Sequence, residues 1–138
     1  MNFNQRVTAQ RCFGNTPVAP DFGAAVWLGD AYVGYGQALS LARAAMRRGG
    51  WAEAEALLMK AAPLAGGDAA FCNLVGILWE ARGDHRRARK FYGDAIRADG
   101  RYEPAQQNMR RLYELATFGR TSQPVALGDA LGDERRAK

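Results

Sequence analysis

A period of 34 residues runs through the middle of this chain, and no other feature constrains the fold so tightly. Gly49, Ala54, Leu58 and Ala61 recur as Gly83, Ala88, Tyr92 and Ala95, and ahead of them Leu41, Ala42 and Ala45 recur as Val75, Gly76 and Trp79. A fixed period of this length marks a stack of like supersecondary units, each too small to bury its own apolar face.

Each unit reads as two helices. Phe71, Leu74, Val75, Leu78 and Trp79 follow the spacing of one helix face, and after Arg82-Gly83-Asp84 the phase restarts with Ala88, Phe91, Tyr92, Ala95 and Ile96. Gly83 suits a left-handed position at a helix C-terminus, and Asp84 suits the cap of the next helix. The preceding unit offers Leu39, Leu41, Ala42, Ala45 and Met46, a Gly49-Gly50 turn, then Trp51, Ala54, Leu57, Leu58 and Ala61. Pro63 is expected to end or kink that second helix. A third unit begins with Pro104 in its first turn and an apolar stripe of Ala105, Met109, Leu112, Tyr113 and Ala116. Thr117 and Ser122 stand where Gly and Ala should recur, so the array ends on a lone capping helix.

The ends differ from this middle. Residues 1–33 carry Pro17, Pro20 and no sustained period, yet also Phe3, Phe13, Phe22, Trp27 and Tyr32. That is too aromatic for a plain tail. Part of 13–33, led by Phe22, Trp27 and Tyr32, is expected to cover the N-terminal end of the helices or to pair with a second copy as a homodimer. Residues 119–138 finish in Asp133-Glu134-Arg135-Arg136-Ala137-Lys138 and read as a flexible tail. The helical domain therefore spans 34–118.

The 69–102 unit resembles the tetratricopeptide repeat (TPR) family, a 34-residue helix pair with fixed small and large positions. Gly76 takes its first small position, Trp79 the aromatic one, Gly83-Asp84 the turn, and Ala88, Tyr92 and Ala95 the packing positions of the second helix. Gly100 replaces the usual Pro after Asp99, and the 35–68 unit has Ala38, Ala42 and Ala45 in place of the large-small-aromatic set. An alternative register, in which Trp27-Leu28-Gly29-Asp30-Ala31-Tyr32 opens a first repeat, puts Leu41 and Arg48 where small Ala belongs. The resemblance covers about residues 35–118. It implies an all-α fold, a short α-α superhelix of antiparallel helix pairs, in which Gly76 and Ala88 mark the closest approach of the two helices.

Catalytic signatures do not emerge. His85 has no second ligand at metal spacing, Cys12 and Cys72 fit no C-x-x-C pattern, and Ser40 and Ser122 sit in no nucleophile elbow. Cys72 is expected to be a buried thiol. Gly29, Gly34 and Gly36 lack the Lys-Ser/Thr of a phosphate loop. No enzyme activity, metal or cofactor is expected. There is also no membrane-length apolar run, and Met1–Arg6 lacks the layout of a secretory signal, so a cytoplasmic protein is expected.

The resemblance implies binding of a peptide or protein in a concave groove. Its lining would be Leu39, Arg43, Met46 and Arg47 from the first unit, Asn73, Ile77 and Glu80 from the second, and Gln107, Asn108, Arg111 and Glu114 from the cap. Asn73, Gln107 and Asn108 would bond peptide backbone, while Arg43, Arg47 and Arg111 would favour an acidic partner, in keeping with a net charge of +5. Leu39, Leu74 and Pro104 stand where chaperone-tail binders carry a carboxylate clamp, which argues against such tails as ligands. Two other functions stay open. One is nucleic-acid association through Arg86, Arg89 and Lys90, which share a face opposite Ala88 and Tyr92, although no aromatic platform accompanies them. The other is a structural subunit of a larger assembly.

Overall fold

The computed structural model describes residues 25–29 and 32–128, and these fold as two units, Met1–Gly67 and Asp68–Lys138. Gly66 and Gly67, both at positive φ (56° and 89°), end the first.

In the first unit a short hairpin leads into a helix pair. Strand β1 (Ala25–Trp27) pairs antiparallel with β2 (Tyr32–Gly34), with Val26 opposite Val33 and Trp27 opposite Tyr32. Both strands precede the periodic region and stand where the alternative register places an opening helix at 27–32, while the described residues are otherwise mostly helical, in keeping with an all-α class. The reason lies in the alternation Ala25-Val26-Trp27, which turns one side chain inward: Val26 is buried while Trp27 and Tyr32 stack on each other, ring centroids 4.8 Å apart, and stay 42% and 51% exposed. Of the expected cover, Val26 is buried and Trp27 and Tyr32 are largely exposed, while Phe22 and the rest of 13–24 lie outside the described residues.

Helices α1 (Tyr35–Arg47) and α2 (Trp51–Ala65) pack through alanine-rich faces, Ala38, Ala42 and Ala45 against Ala54, Leu57, Leu58, Ala61 and Ala62. Small side chains let the backbones approach closely. Leu41 and Trp51, read as core, are each 40% exposed because the alanines set the phase. Gly49 turns the chain at φ 78°, and the Gly50 amide returns to the Ala45 carbonyl at 2.8 Å. Pro63 neither ends nor breaks α2, which runs two residues further to a left-handed Gly66 cap.

The second unit holds α3 (Ala69–Ala81), α4 (His85–Ala98) and α5 (Glu103–Phe118). Every residue from Phe71 to Leu78 in α3 is buried, whereas α4 buries only the stripe Ala88, Phe91, Tyr92 and Ala95. The hairpin between them forms as its residues dictate. Gly83 sits at φ 82°, the Asp84 amide bonds the Trp79 carbonyl at 2.9 Å, and the Asp84 carboxylate accepts from the Arg87 amide at 3.0 Å. Helix α5 packs chiefly on α4 and to a lesser degree on α3, with Ala105 joining Ala69, Cys72 and Ala95 in one cluster. Cys72 is buried, as expected of it.

Candidate functional site

The sequence-derived groove residues have different fates. In the first unit Leu39 and Met46 are core residues, 3% and 5% exposed, because they fall beside the alanine stripe of α1. They line no groove. Arg43 is half-buried and Arg47 exposed. In the second unit Asn73, Glu80, Asn108, Arg111 and Glu114 do share one polar face of α3 and α5, but that face is not open. Asn73 and Asn108 are 0% exposed and Arg111 is 8% exposed. Ile77 is buried beside them, and Gln107 is half-buried.

What covers the face is the chain itself. After Phe118 a left-handed Gly119 reverses direction, and residues 121–128 run back along α5 toward its N-terminus. Gln123 meets Arg111, Ala126 meets Asn108, and Gly128 reaches Tyr102 and Pro104. Of the tail 119–138, expected to be flexible, residues 121–128 thus lie over this face, while 129–138 lie outside the described residues.

Ala126 is the centre of the contact. Asn108 Nδ2 donates to the Ala126 carbonyl at 2.9 Å, and Asn108 Oδ1 accepts from the Ala126 amide at 2.9 Å. Asn73 Nδ2 donates to the same carbonyl at 3.0 Å, while Asn108 Nδ2 donates its other proton to Asn73 Oδ1 at 2.8 Å. Both lone pairs of the carbonyl are engaged, and each amide is fixed in one orientation by its neighbour. The two asparagines read main chain and ignore the side chain.

Three further contacts extend this line. Arg111 Nε donates to the Gln123 carbonyl at 2.9 Å, and Thr121 Oγ1 donates to the Glu114 carboxylate. Gly128, at φ 83°, lies so close to Tyr102 that a Cβ there would overlap the phenol oxygen, with Tyr102 Cζ at 3.1 Å and Pro104 Cγ at 3.3 Å.

Beneath the tail sits an ion pair. Arg111 Nη1 donates to Glu80 Oε1 and Oε2 at 2.8 and 3.0 Å, both side chains about a tenth exposed, and Tyr92 OH donates to Glu80 Oε2 at 3.0 Å. The charge of Arg111, expected to face an acidic partner, is met within the chain by Glu80. Burial, reinforced by the Glu80 carboxylate, pushes the Tyr92 phenol far above its ordinary pKa of 10.0. The phenol is neutral in the fold, so its contribution is fully present below pH 10 and is lost as pH rises above the unfolded value. The expected result is stability falling by up to about 1.4 kcal/mol per pH unit above pH 10 from this group. Alkaline urea titrations of wild type and Tyr92→Phe should diverge there; parallel curves would show that Tyr92 ionises freely.

The basic residues behave otherwise. Arg86, Arg89 and Lys90 are exposed, while Arg87 lies over the Trp79 ring at 4.6 Å and Arg82 over the same ring at 5.2 Å. Among the described residues no helix is long and apolar enough to cross a membrane, and no cluster of three or more His, Cys, Asp or Glu is placed to hold a metal ion.

Residues missed by sequence reasoning are those of the tail, Gln123, Ala126 and Gly128, together with Tyr102. The available signal was the short apolar run Pro124-Val125-Ala126-Leu127-Gly128 in an otherwise polar end. No family model, curated protein or solved structure matches the chain.

Proposed function

We propose that the α3–α5 unit is a docking face for an extended polypeptide and performs no covalent chemistry, with residues 121–128 as its built-in occupant. The observation that carries this reading is the clamp on Ala126, whose N–H and C=O are both taken by buried asparagine amides. Buried amides aimed at main chain supply affinity for any segment of the right backbone shape, the manner of recognition that extended peptides use elsewhere. The likeness of α3 and α4 to a tetratricopeptide unit supports the same function, since that family binds peptides along its first helices.

A partner must displace the tail, so the wild-type chain is in competition with itself. Ala126→Pro removes the clamped N–H and should release the tail while leaving Asn73 and Asn108 in place. Full-length Ala126→Pro is expected to bind a fluorescein-labelled peptide of residues 120–129 saturably by anisotropy, at least about tenfold more tightly than wild type does, because the covered fraction of the wild-type face reduces its apparent affinity. Adding Asn108→Ala should abolish binding. A released tail, verified by amide exchange, with no peptide binding would end the proposal.

A further inference from the structure

Resting on that docking reading, the contacts along residues 123–128 define what the face accepts. We infer that its partner is an uncharged extended segment with a glycine two residues after the clamped residue, with proline barred at the clamped residue and tolerated two residues before it.

Glycine is required for two independent reasons at the position of Gly128. The backbone there has φ 83°, in the left-handed region that side chains disfavour. A Cβ would also overlap the Tyr102 hydroxyl and press on Tyr102 Cζ and Pro104 Cγ. Tyr102 has little room to yield, because its ring packs on the buried cluster of Ala69, Cys72, Ala95 and Ala105. Pro104 is equally held, standing in the first turn of α5.

The remaining positions differ in what they demand. At Ala126 the amide proton goes to Asn108 Oδ1, so a residue without one cannot be clamped. At Gln123 only the carbonyl is used toward α5, by Arg111 Nε. Pro124 shows that a residue lacking an N–H fits two places before the clamp, and Val125 is 38% exposed, so neither position is tightly enclosed. Of the charges facing the segment, Arg111 and Glu80 neutralise each other at 2.8 Å, and Glu114 takes the neutral Thr121 hydroxyl. An acidic or basic segment gains nothing from the Arg111–Glu80 pair.

The test uses full-length Ala126→Pro protein and labelled peptides of residues 120–129. The parent peptide should bind, Pro124→Ala should bind within about threefold of it, and Gly128→Val should bind at least about 30-fold more weakly, given the combined cost of overpacking and a positive φ. Affinity for the parent should change less than about twofold between low and high salt, since Arg111 and Glu114 meet only neutral groups of the segment, a carbonyl and a hydroxyl, and no ion pair crosses the contact. Equal affinity for the parent and Gly128→Val peptides would overturn the glycine requirement while leaving the docking face intact. Failure of every peptide would remove the docking reading beneath it. A second measurement needs no release of the tail: in the otherwise native chain, Gly128→Val should speed hydrogen exchange of the Ala126 amide by about the same 30-fold, whereas Pro124→Ala should leave it unchanged. Unchanged exchange in Gly128→Val overturns the inference independently of any peptide.

Discussion

Arg111→Met is expected to destabilise the α3–α5 unit by about 3–5 kcal/mol, because it leaves the Glu80 carboxylate buried without its counter-charge. Glu80 would retain only the Tyr92 hydroxyl, and the Gln123 carbonyl would lose its donor as well. Glu80→Met alone should cost a comparable amount, since it strands the guanidinium and removes the acceptor of Tyr92. The double variant should cost far less than the sum, as an apolar pair of similar volume spares both desolvation penalties. Because Arg111 and Glu80 are each about a tenth exposed, added salt should change little. Urea unfolding followed by exchange of α3 and α5 amides measures all three variants. Strict additivity would mean that the two groups do not sense each other, and the geometry at 2.8 Å would then carry no energetic meaning.

The helices of this chain were legible because their signals are local. The Gly83-Asp84 turn, Pro104 at the start of α5 and the stripe Ala88, Tyr92, Ala95 are fixed by backbone freedom, capping and periodicity, and each occurs where those properties place it. Two kinds of feature were not local. Leu39 and Leu41 lie two residues apart on α1, and the choice of which one is buried is made by the alanines of α2, so residue type alone could not separate a core Leu39 from an exposed Leu41. The tail is harder still. Nothing in Gln123-Pro124-Val125-Ala126 encodes extended structure strongly, and its order comes from Asn73 and Asn108, 53 and 18 residues away in sequence. Asn73, Gln107 and Asn108 are expected to bond a partner's main chain only through the resemblance; in the structure Asn73 and Asn108 bond the main chain of Ala126. That the partner lies in the same chain is a long-range fact.

The same kind of reasoning gives a sharp expectation at Gly76. In an isolated helix Gly→Ala stabilises by about 1 kcal/mol, so propensity alone favours the change. Packing opposes it, since a Cβ at Gly76 would lie 2.5 and 2.6 Å from Tyr92 Cε1 and Cδ1 and 3.3 Å from the Ala88 carbonyl oxygen. Tyr92 has no freedom to move aside, being fully buried with its hydroxyl on Glu80, and Ala88 holds α4 against α3 at the same point. Gly76→Ala is therefore expected to be destabilising by about 1–3 kcal/mol despite its helix preference, and Gly76→Val by more, since it adds two further methyl carbons to the same contact. For a unit of this size each kcal/mol lowers the melting temperature by about 4–8 °C. Tyr92→Phe leaves the ring in place and should not rescue Gly76→Ala. Tyr92→Leu clears the ring edge, so the double variant Gly76→Ala/Tyr92→Leu should lose markedly less than the sum of the single changes. Calorimetric melts of the four proteins decide the matter: a Gly76→Ala chain as stable as wild type would mean that α3 and α4 do not cross at the distance their packing shows.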